Sequence, residues 1–339
     1  MPSTFHPVRR SDNPQDPYIY LYLGREWYCY NPNDKPLGGG AMGDVYKGFR
    51  CKTHEAIAVK RVKSCYENNL VIREKARQEA SMAYRHSNLV EMLGFCEYAY
   101  NSGPCFLLSK FVRGENIDTY MARITDDKIR VQKVCNAIIQ VLDALDYLHS
   151  KGVIHRDIKP SNIMVEEDSN VRLMDLGIAR QNGGNKWSRY GFIGTPQYAA
   201  PEQILREDNE ANTCIDATTD LYSLGITFYE LLTGNNPMNC PTDSLTLAKQ
   251  MKEPLPPNKI IPRCLMNVIL KATEKEQSRR YMNAQDFKQA IIKATEIPNS
   301  RWENFKHWIW DNIWFLLSIC FITVIVIMYY MYYMYYMLN

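Results

Sequence analysis

The chain has little net charge and little sign of a metal or disulfide framework. Its 339 residues include 40 lysines and arginines against 37 aspartates and glutamates, so the formal net charge of +3 gives no reason to expect nucleic acid as a partner. The ten cysteines contain no Cys-x-x-Cys pair and the six histidines show no metal-ligand spacing, which argues against a zinc site or a disulfide framework. No apolar segment follows the first charged residues, so no signal peptide is predicted. We therefore expect reduced thiols in a cytosolic environment.

One long uncharged run stands near the carboxyl end. Residues 313–331 are nineteen consecutive uncharged, mostly apolar residues, and as a helix they would extend for about 28 Å, enough to cross the hydrocarbon of a bilayer. Tryptophans precede or open the run and tyrosines close it, as expected at the two membrane interfaces. The sequence predicts a transmembrane helix at 313–331, after a juxtamembrane linker at 296–312 and before a short tail at 332–339. A helix lying in the interface is the alternative.

The rest of the chain divides by composition and periodicity. Residues 1–26 are proline-rich and read as a leader of unknown role, with one strand expected in its last part. Residues 27–110 contain short β-rich runs around one charged helical stretch at 72–84. Residues 111–295 carry apolar side chains at helical spacing, most clearly from Val131 to Leu148. This pattern predicts an α+β domain with a small sheet followed by a mainly helical part.

A glycine-rich motif lies in the first part of this domain. Gly38, Gly40 and Gly43 fit the pattern G-x-G-x-x-G, in which glycines let backbone N–H groups approach phosphate oxygens. The pattern alone also fits a hairpin without a ligand. Lys60, in Ala58-Val59-Lys60, follows seventeen residues after Gly43 and offers a strand lysine that could reach the α- and β-phosphates of a nucleotide.

A second motif carries groups for phosphoryl transfer. The run from His155 to Asn162 is followed thirteen residues later by Asp175-Leu176-Gly177. Asp157 can accept the proton of a substrate hydroxyl, and Lys159 can neutralise the γ-phosphate. Asn162 and Asp175 can hold Mg²⁺ or Mn²⁺. Because four such groups occur at this spacing, the motif predicts an ATP-dependent phosphotransferase.

Residues 27–295 resemble a eukaryotic-like Ser/Thr protein kinase of the type found in bacteria. The resemblance implies a two-lobed kinase fold, with a β-rich lobe at 27–110 and a helical lobe at 111–295, and it implies ATP as cofactor. It also implies that a glutamate on the single helix of the first lobe pairs with Lys60. Glu79 is the candidate, but it lies closer to His86 than in relatives, so Glu74 is the alternative.

The same resemblance implies structural roles for residues around the catalytic loop. Thr195 is expected to hydrogen-bond Asp157 and Lys159, Glu202 to pair with Arg280, and Asp220 to hold the backbone of the loop. His155 is expected to act as scaffold. The lysine at position 159 is typical of kinases that act on Ser or Thr.

An adenine pocket can be assigned by the same resemblance. The backbone groups of Lys110 and Val112 are expected to meet the adenine edge, with Val45, Ala58 and Met164 on either side of the ring. Ser109 falls at the gatekeeper position, which predicts unusual access for bulky inhibitors behind the pocket. An ordinary buried strand serine is the alternative.

Regulation and location are expectations of the same kind. Arg156 would receive a phosphate from the activation segment, and Ser188 is the expected autophosphorylation site, with self-association for that reaction. A solvated basic loop is the alternative. The expected partners are proteins with Ser or Thr acceptors and the cell membrane, where a single-pass helix would leave the kinase domain in the cytoplasm. A nucleotide-binding membrane scaffold is the alternative function.

Overall fold

The computed structural model describes residues 6–40, 43–81, 84–175, 180–181, 195–205 and 214–296. Residues 1–291 form one compact unit and residues 292–339 a second, of which only 292–296 are described. The first unit contains a β-rich lobe followed by a helical lobe, so the predicted α+β architecture is confirmed.

The first lobe is built on an antiparallel sheet. Its strands follow the spatial order β1-β2-β3-β5-β6-β8-β7, and β4 pairs with β5. The strands are β1 (Val8–Arg10), β2 (Ile19–Leu23), β3 (Glu26–Tyr30), β4 (Gly38–Gly39), β5 (Gly43–Arg50), β6 (Ala56–Val62), β7 (Met92–Ala99) and β8 (Ser102–Lys110).

The sheet extends into the segment that the sequence sets apart as a leader. The expected strand is present as β2, which pairs with β1 on one side and β3 on the other. Leu21 is fully buried in one core with Tyr30, Ile57 and Phe106, because alternate residues of a strand face the same side of the sheet. Residues 8–23 thus contribute to the core of the first lobe.

The opposite face of the sheet carries the helix of the first lobe. Helix α1 (Leu70–Ser81) begins two residues before the predicted stretch, because the side chain of Asn69 accepts hydrogen bonds from the backbone N–H groups of Val71 and Ile72. Its buried Ala76 packs against Cys105 and Leu107 of β8. The helix is therefore fixed on the central strands of the sheet.

The second lobe is mainly helical. Its long helix is capped by Asp126, whose side chain accepts from the N–H of Ile129, and the next long helix ends at Gly234 in the left-handed conformation (φ 72°) that glycine adopts without strain. The helices are α2 (Ile117–Ala122), α3 (Asp127–Ser150), α4 (Pro201–Leu205), α5 (Ala217–Thr233), α6 (Asp243–Lys252), α7 (Arg263–Ala272) and α8 (284–296).

Short strands also occur among the helices of the second lobe. They form the sheet β12-β11-β9 and the pair β10-β13, with β9 (Gly114–Asn116), β10 (Val153–Ile154), β11 (Ile163–Glu166), β12 (Val171–Leu173) and β13 (Arg180–Gln181). The catalytic-loop motif joins β10 to β11, and Asp175 follows β12. Within the described ranges, no helix is long and apolar enough to cross a membrane. The predicted helix at 313–331, with its linker and tail, lies outside those ranges.

Candidate active site

A buried aspartate at the start of α5 binds the backbone of the catalytic loop. Asp220 accepts hydrogen bonds from the backbone N–H of His155 at 2.9 Å and of Arg156 at 2.7 Å, and its other contact is His149 Nε2 at 2.8 Å. Burial raises the pKa of Asp220, but the His149 contact and the backbone donor lower it more, so the net shift is downward. The ionised carboxylate of Asp220 thus holds the backbone of the catalytic loop, as the sequence predicts.

Two residues of the site have a backbone conformation that is uncommon outside glycine. Arg156 has φ 68° and Asp175 has φ 63°. The hydrogen bonds of Asp220 stabilise the first of these. His155, fully buried, supports the second, because its Nε2 donates to the carbonyl of Met174 at 3.0 Å. Such strain is typical of functional sites, since the surrounding contacts must maintain it.

Three side chains surround the predicted base. Lys159 Nζ lies 2.7 Å from Asp157 Oδ2 and donates to Thr195 Oγ1 at 2.7 Å, while that hydroxyl donates to Asp157 Oδ1 at 2.9 Å. Asn162 Nδ2 donates to the backbone carbonyl of Asp157 at 2.7 Å and to its Oδ2 at 3.1 Å. The carboxylate of Asp157 is therefore held in one orientation by residues from two segments.

Lys60 brings the first lobe to the site. Its Nζ lies 2.5 Å from Asp175 Oδ1 and 3.7 Å from Glu79 Oε1. Burial lowers the pKa of Lys60, but the two carboxylates raise it more, and the net shift is upward. Burial raises the pKa of Asp175, but Lys60, together with Glu79 and His155, lowers it more, and the net shift is downward. Burial also raises the pKa of Glu79, to about 7, against the opposing effect of Lys60.

The choice between the two glutamates of α1 is decided by this geometry. Glu79 is buried and lies beside Lys60. Glu74 is exposed and pairs with Arg77 at 3.3 Å on the same helix. Glu79 is therefore the residue of α1 that the structure brings to Lys60.

The donor set fits a divalent cation beside a nucleotide. Met174 N donates to the backbone carbonyl of Asn162 at 2.8 Å, which brings the segment leading to Asp175 next to Asn162. Because the Nδ2 of Asn162 faces Asp157, its Oδ1 points the other way. A carboxylate and an amide oxygen are ligands that Mg²⁺ and Mn²⁺ accept. Within the described residues no cluster of three or more His, Cys, Asp or Glu side chains suits a metal, so a cation here would need further ligands from the nucleotide or from water.

The glycine-rich segment forms the hairpin of β4 and β5, closed by a hydrogen bond from Gly40 N to the carbonyl of Gly43 at 2.9 Å. A Cβ added at Gly43 would lie 2.3 Å from the carbonyl oxygen of Arg61, so only glycine fits there. A Cβ at Gly38 or Gly40 would meet nothing within 4 Å, so the backbone is uncovered on that side. An uncovered backbone suits the approach of phosphate oxygens.

The predicted adenine residues lie on neighbouring elements. Ala58 is paired with Ser109 across β6 and β8, Val45 is paired with Lys60 across β5 and β6, and Met164 lies in β11. The backbone N–H of Lys110 donates to the carbonyl of Glu91 at 2.9 Å, so this N–H is already used within the protein. Val112 follows at the end of the same segment, two residues after β8.

The segment after the site is anchored by a buried ion pair. Arg280 donates to both oxygens of Glu202, at 2.7 and 2.8 Å, and neither side chain is more than 5% exposed. The hydroxyl of Thr219 donates to Glu202 as well, at 2.8 Å. This pair fixes α4, which follows directly on the segment that contains Thr195.

Some residues that support the site belong to no sequence motif and were not predicted from the sequence. Gln203 joins Ala200 N to the carbonyl of Arg156, and Tyr198 donates to Glu230 at 2.6 Å. The arginines of α1 were missed too, although a charged residue facing a sheet in the helical pattern could have indicated a buried contact. Ser188 and Leu176 lie outside the described residues.

Comparison with known proteins identifies the family. A model of the protein kinase domain matches residues 32–302. The chain is 30% identical over 271 residues to the serine/threonine-protein kinase PknB of Mycolicibacterium smegmatis, which covers 77% of this chain and 42% of that protein. It is also 30% identical over 258 residues to a probable serine/threonine-protein kinase of Clostridium acetobutylicum (75% of this chain, 38% of that protein).

A third relative is the serine/threonine-protein kinase PknH of Mycobacterium tuberculosis, 29% identical over 268 residues, covering 78% of this chain and 41% of that protein. The chain thus spans about two-fifths of the length of these relatives. The family match covers most of the chain and contains every predicted site residue, so the chain belongs to the protein kinase domain family.

Proposed function

We propose that the chain is a Ser/Thr protein kinase that transfers the γ-phosphoryl group of ATP to protein hydroxyls. One observation carries the proposal. A continuous set of contacts runs from Lys60 to Asp175, through Met174 to Asn162, and on to Asp157 with its partners Lys159 and Thr195. These are the positioning and electrostatic groups that phosphoryl transfer requires.

The residues have separate roles in this proposal. Asp157 accepts the hydrogen bond of the substrate hydroxyl and orients its oxygen, while Thr195 and Lys159 hold the carboxylate in place. Lys60 binds the α- and β-phosphates, and Lys159 also stabilises charge on the transferred group. When bound, the nucleotide and its metal supply the phosphoryl group and most of the neutralising positive charge.

The binding residues follow from the same site. Asn162 and Asp175 would hold the metal, Mg²⁺ or Mn²⁺, and the backbone of Gly38, Gly40 and Gly43 would cradle the phosphates. The adenine ring would lie among the hinge and its neighbours: Val45, Ala58, Lys110, Val112 and Met164. Specificity for Ser and Thr is supported by Lys159 and by the names of the relatives, which are serine/threonine-protein kinases.

The proposal extends to location and regulation. The apolar run at 313–331 supports a single-pass anchor in the cell membrane, with the kinase domain in the cytoplasm where ATP is available. Self-association on that membrane would favour autophosphorylation, with Ser188 as the acceptor and Arg156 as its partner. Equal activity of the Ser188→Ala variant and the parent protein would argue against this site.

A labelling assay tests the core of the proposal. The full chain in detergent is incubated with γ-labelled ATP, Mg²⁺ or Mn²⁺, and a generic protein acceptor, and the Asp157→Asn variant serves as the matched control. We expect label on Ser and Thr of the acceptor with the parent protein only. Tight ATP binding without transfer would favour the membrane scaffold, and label on Tyr would contradict the assignment of the acceptor.

A further inference from the structure

Helix α1 carries a fully buried arginine that lies outside the site described above. Arg73 has no exposed side-chain surface. Its guanidinium forms an ion pair with Glu97 of β7 and donates to the carbonyls of Glu67, Ala99, Ser102 and Gly103, the last at 2.6 Å. A buried charge is costly unless such partners compensate it, so the position of Arg73 is closely determined.

Arg77, one turn later on α1, binds the same carboxylate, that of Glu97. Its Nη2 lies 2.8 and 2.9 Å from the two oxygens of Glu97 and donates to Asn101 Oδ1 at 2.7 Å. Its guanidinium also lies over the ring of Tyr100, 4.9 Å from the centroid. Burial raises the pKa of Glu97, and the two arginines lower it more. We call Arg73, Arg77, Glu97 and the turn at 99–103 the arginine clamp.

The clamp and Glu79 lie on different sides of the same helix. At 100° per residue, Glu79 is displaced by roughly 120 to 160° from Arg73 and Arg77. A rotation of α1 about its axis that moved Glu79 away from Lys60 would therefore pull both arginines out of the turn. The clamp resists that rotation.

The contact of Glu79 itself is too weak to set the rotation of α1. Its carboxylate lies 3.7 Å from Lys60 Nζ, beyond hydrogen-bond distance, while Lys60 lies closer to Asp175. The clamp, by contrast, joins α1 to β7 and to the turn before β8 with several charge-assisted hydrogen bonds. The clamp thus adds a network of charged contacts to the apolar packing of Ala76 on β8, and it resists the rotation that would carry Glu79 away from Lys60.

We propose that Arg73 and Arg77, through Glu97, are positioning residues that hold Glu79 toward Lys60 for phosphoryl transfer. The proposal rests on the kinase function proposed above. It assigns a role in the reaction to residues that touch neither nucleotide nor substrate. It also means that contacts within the first lobe help to hold α1 in its working orientation.

Kinetics and hydrogen exchange of the full chain test the clamp. Arg77→Gln and Glu97→Gln remove one partner each and are compared with Arg50→Gln, which breaks another first-lobe ion pair, with Glu26 at 3.4 Å. We expect the two clamp variants to lower kcat/KM for ATP about tenfold and to speed amide exchange across 70–81. The control should change neither measurement more than about twofold.

A second step separates positioning from general stabilisation. In a Glu79→Gln background, each clamp substitution should change kcat/KM by less than about twofold, because the group it positions is already gone. A further loss as large as that in the parent protein would mean that the clamp only stabilises the lobe, and the proposal would be wrong. Unchanged amide exchange over 70–81 in the clamp variants would also overturn it. A parent protein that transfers no label contradicts the kinase function instead, and the exchange experiment still decides the clamp.

Discussion

The two lobes hold the charged groups of the site in different ways. In the second lobe, Glu202 and Arg280 meet through two hydrogen bonds of 2.7 and 2.8 Å, and Asp220 accepts two backbone N–H groups. In the first lobe, Lys60 lies 3.7 Å from the glutamate of its own lobe and 2.5 Å from Asp175. The charged groups of the second lobe are thus fixed by short direct contacts. In the first lobe, by contrast, the distance between Lys60 and Glu79 depends on how α1 is oriented.

Loss of the ion pair between Glu202 and Arg280 should have the largest effect on stability. Arg280→Met leaves the carboxylate of Glu202 buried without its main partner, so we expect the free energy of unfolding to fall by about 3 to 5 kcal/mol. Chemical denaturation measures the loss. The matched control is the neighbouring Arg279→Met, which removes an exposed pair with Glu276 and should cost less than about 1 kcal/mol. Similar losses in the two variants would show that the second lobe is no more rigidly held than its surface.

The lysine of the first lobe should behave in the opposite way. Lys60→Met removes the group that we propose binds the α- and β-phosphates, so kcat/KM should fall at least about 100-fold, or about 2.7 kcal/mol in the barrier. The free energy of unfolding should change by less than about 1 kcal/mol, because Asp175 is 43% exposed and the buried Glu79, whose pKa is already raised to about 7, can take up a proton when Lys60 is absent. Steady-state labelling and denaturation of the same sample give both values. A large loss of stability would mean that the fold needs Lys60 in the same way as it needs Arg280.

The same contrast explains what could be predicted from the sequence. Asp157, Lys159, Asn162 and Asp175 could be proposed as one site because their spacing along one segment is fixed, and the structure brings them together. The identity of the glutamate on α1 remained open, because Glu74 and Glu79 both lie on the charged helix. The structure brings Glu79 to Lys60, and the arginine clamp that we propose as its support depends on contacts with residues twenty or more positions away in sequence.

The fold shows the same limit. Alternating apolar residues indicated β2 correctly, but the pairing of β2 with β3 and its burial against Phe106 could not be inferred from local pattern. For this reason residues 8–23 were separated from a core that they help to build. Helix α5 begins at Ala217 because the side chain of Asp216 accepts a hydrogen bond from the N–H of Thr218, a cap that the apolar pattern of the helix does not indicate.

The protonation of Glu79 should make the stability and the activity of the protein change with pH in opposite directions. Its pKa is raised to about 7, from 4.5, first by burial. The folded state therefore holds a proton that the unfolded state releases, so this group stabilises the fold fully below about pH 4.5 and loses that effect as pH rises toward 7. Catalysis should move the other way, because only ionised Glu79 pairs with Lys60.

The measurement compares the parent protein with Glu79→Gln between pH 5 and 8 (a range of about three units around the raised pKa). The parent protein should lose stability with rising pH relative to the variant, while its kcat/KM gains relative to the variant. Parallel pH profiles for both proteins would rule out Glu79 as the titrating group. Asp220 should take no part, since its pKa is shifted downward.

The smallest expected effect concerns Lys275, a partly buried lysine of the second lobe. Lys60 is flanked by carboxylates, whereas Lys275 of the second lobe donates to the hydroxyl of Tyr222 at 2.7 Å and lies near Arg280. Burial, followed by the positive charge of Arg280, lowers the pKa of Lys275 to about 8, although Glu253 and Glu274 partly oppose this. The folded state thus gives up its proton before the unfolded state does.

Because the folded pKa lies below the unfolded value of 10.5, the contribution of Lys275 to stability should rise with pH from about 8 and disappear as pH falls through 8. The slope cannot exceed 1.36 kcal/mol per pH unit, the value for one full proton. Lys275→Met should remove this slope in denaturation curves, while the exposed Lys271→Met should keep it. If both variants keep the slope of the parent protein, Lys275 stays charged in the fold beside Arg280, and the carboxylates near the two side chains compensate both charges.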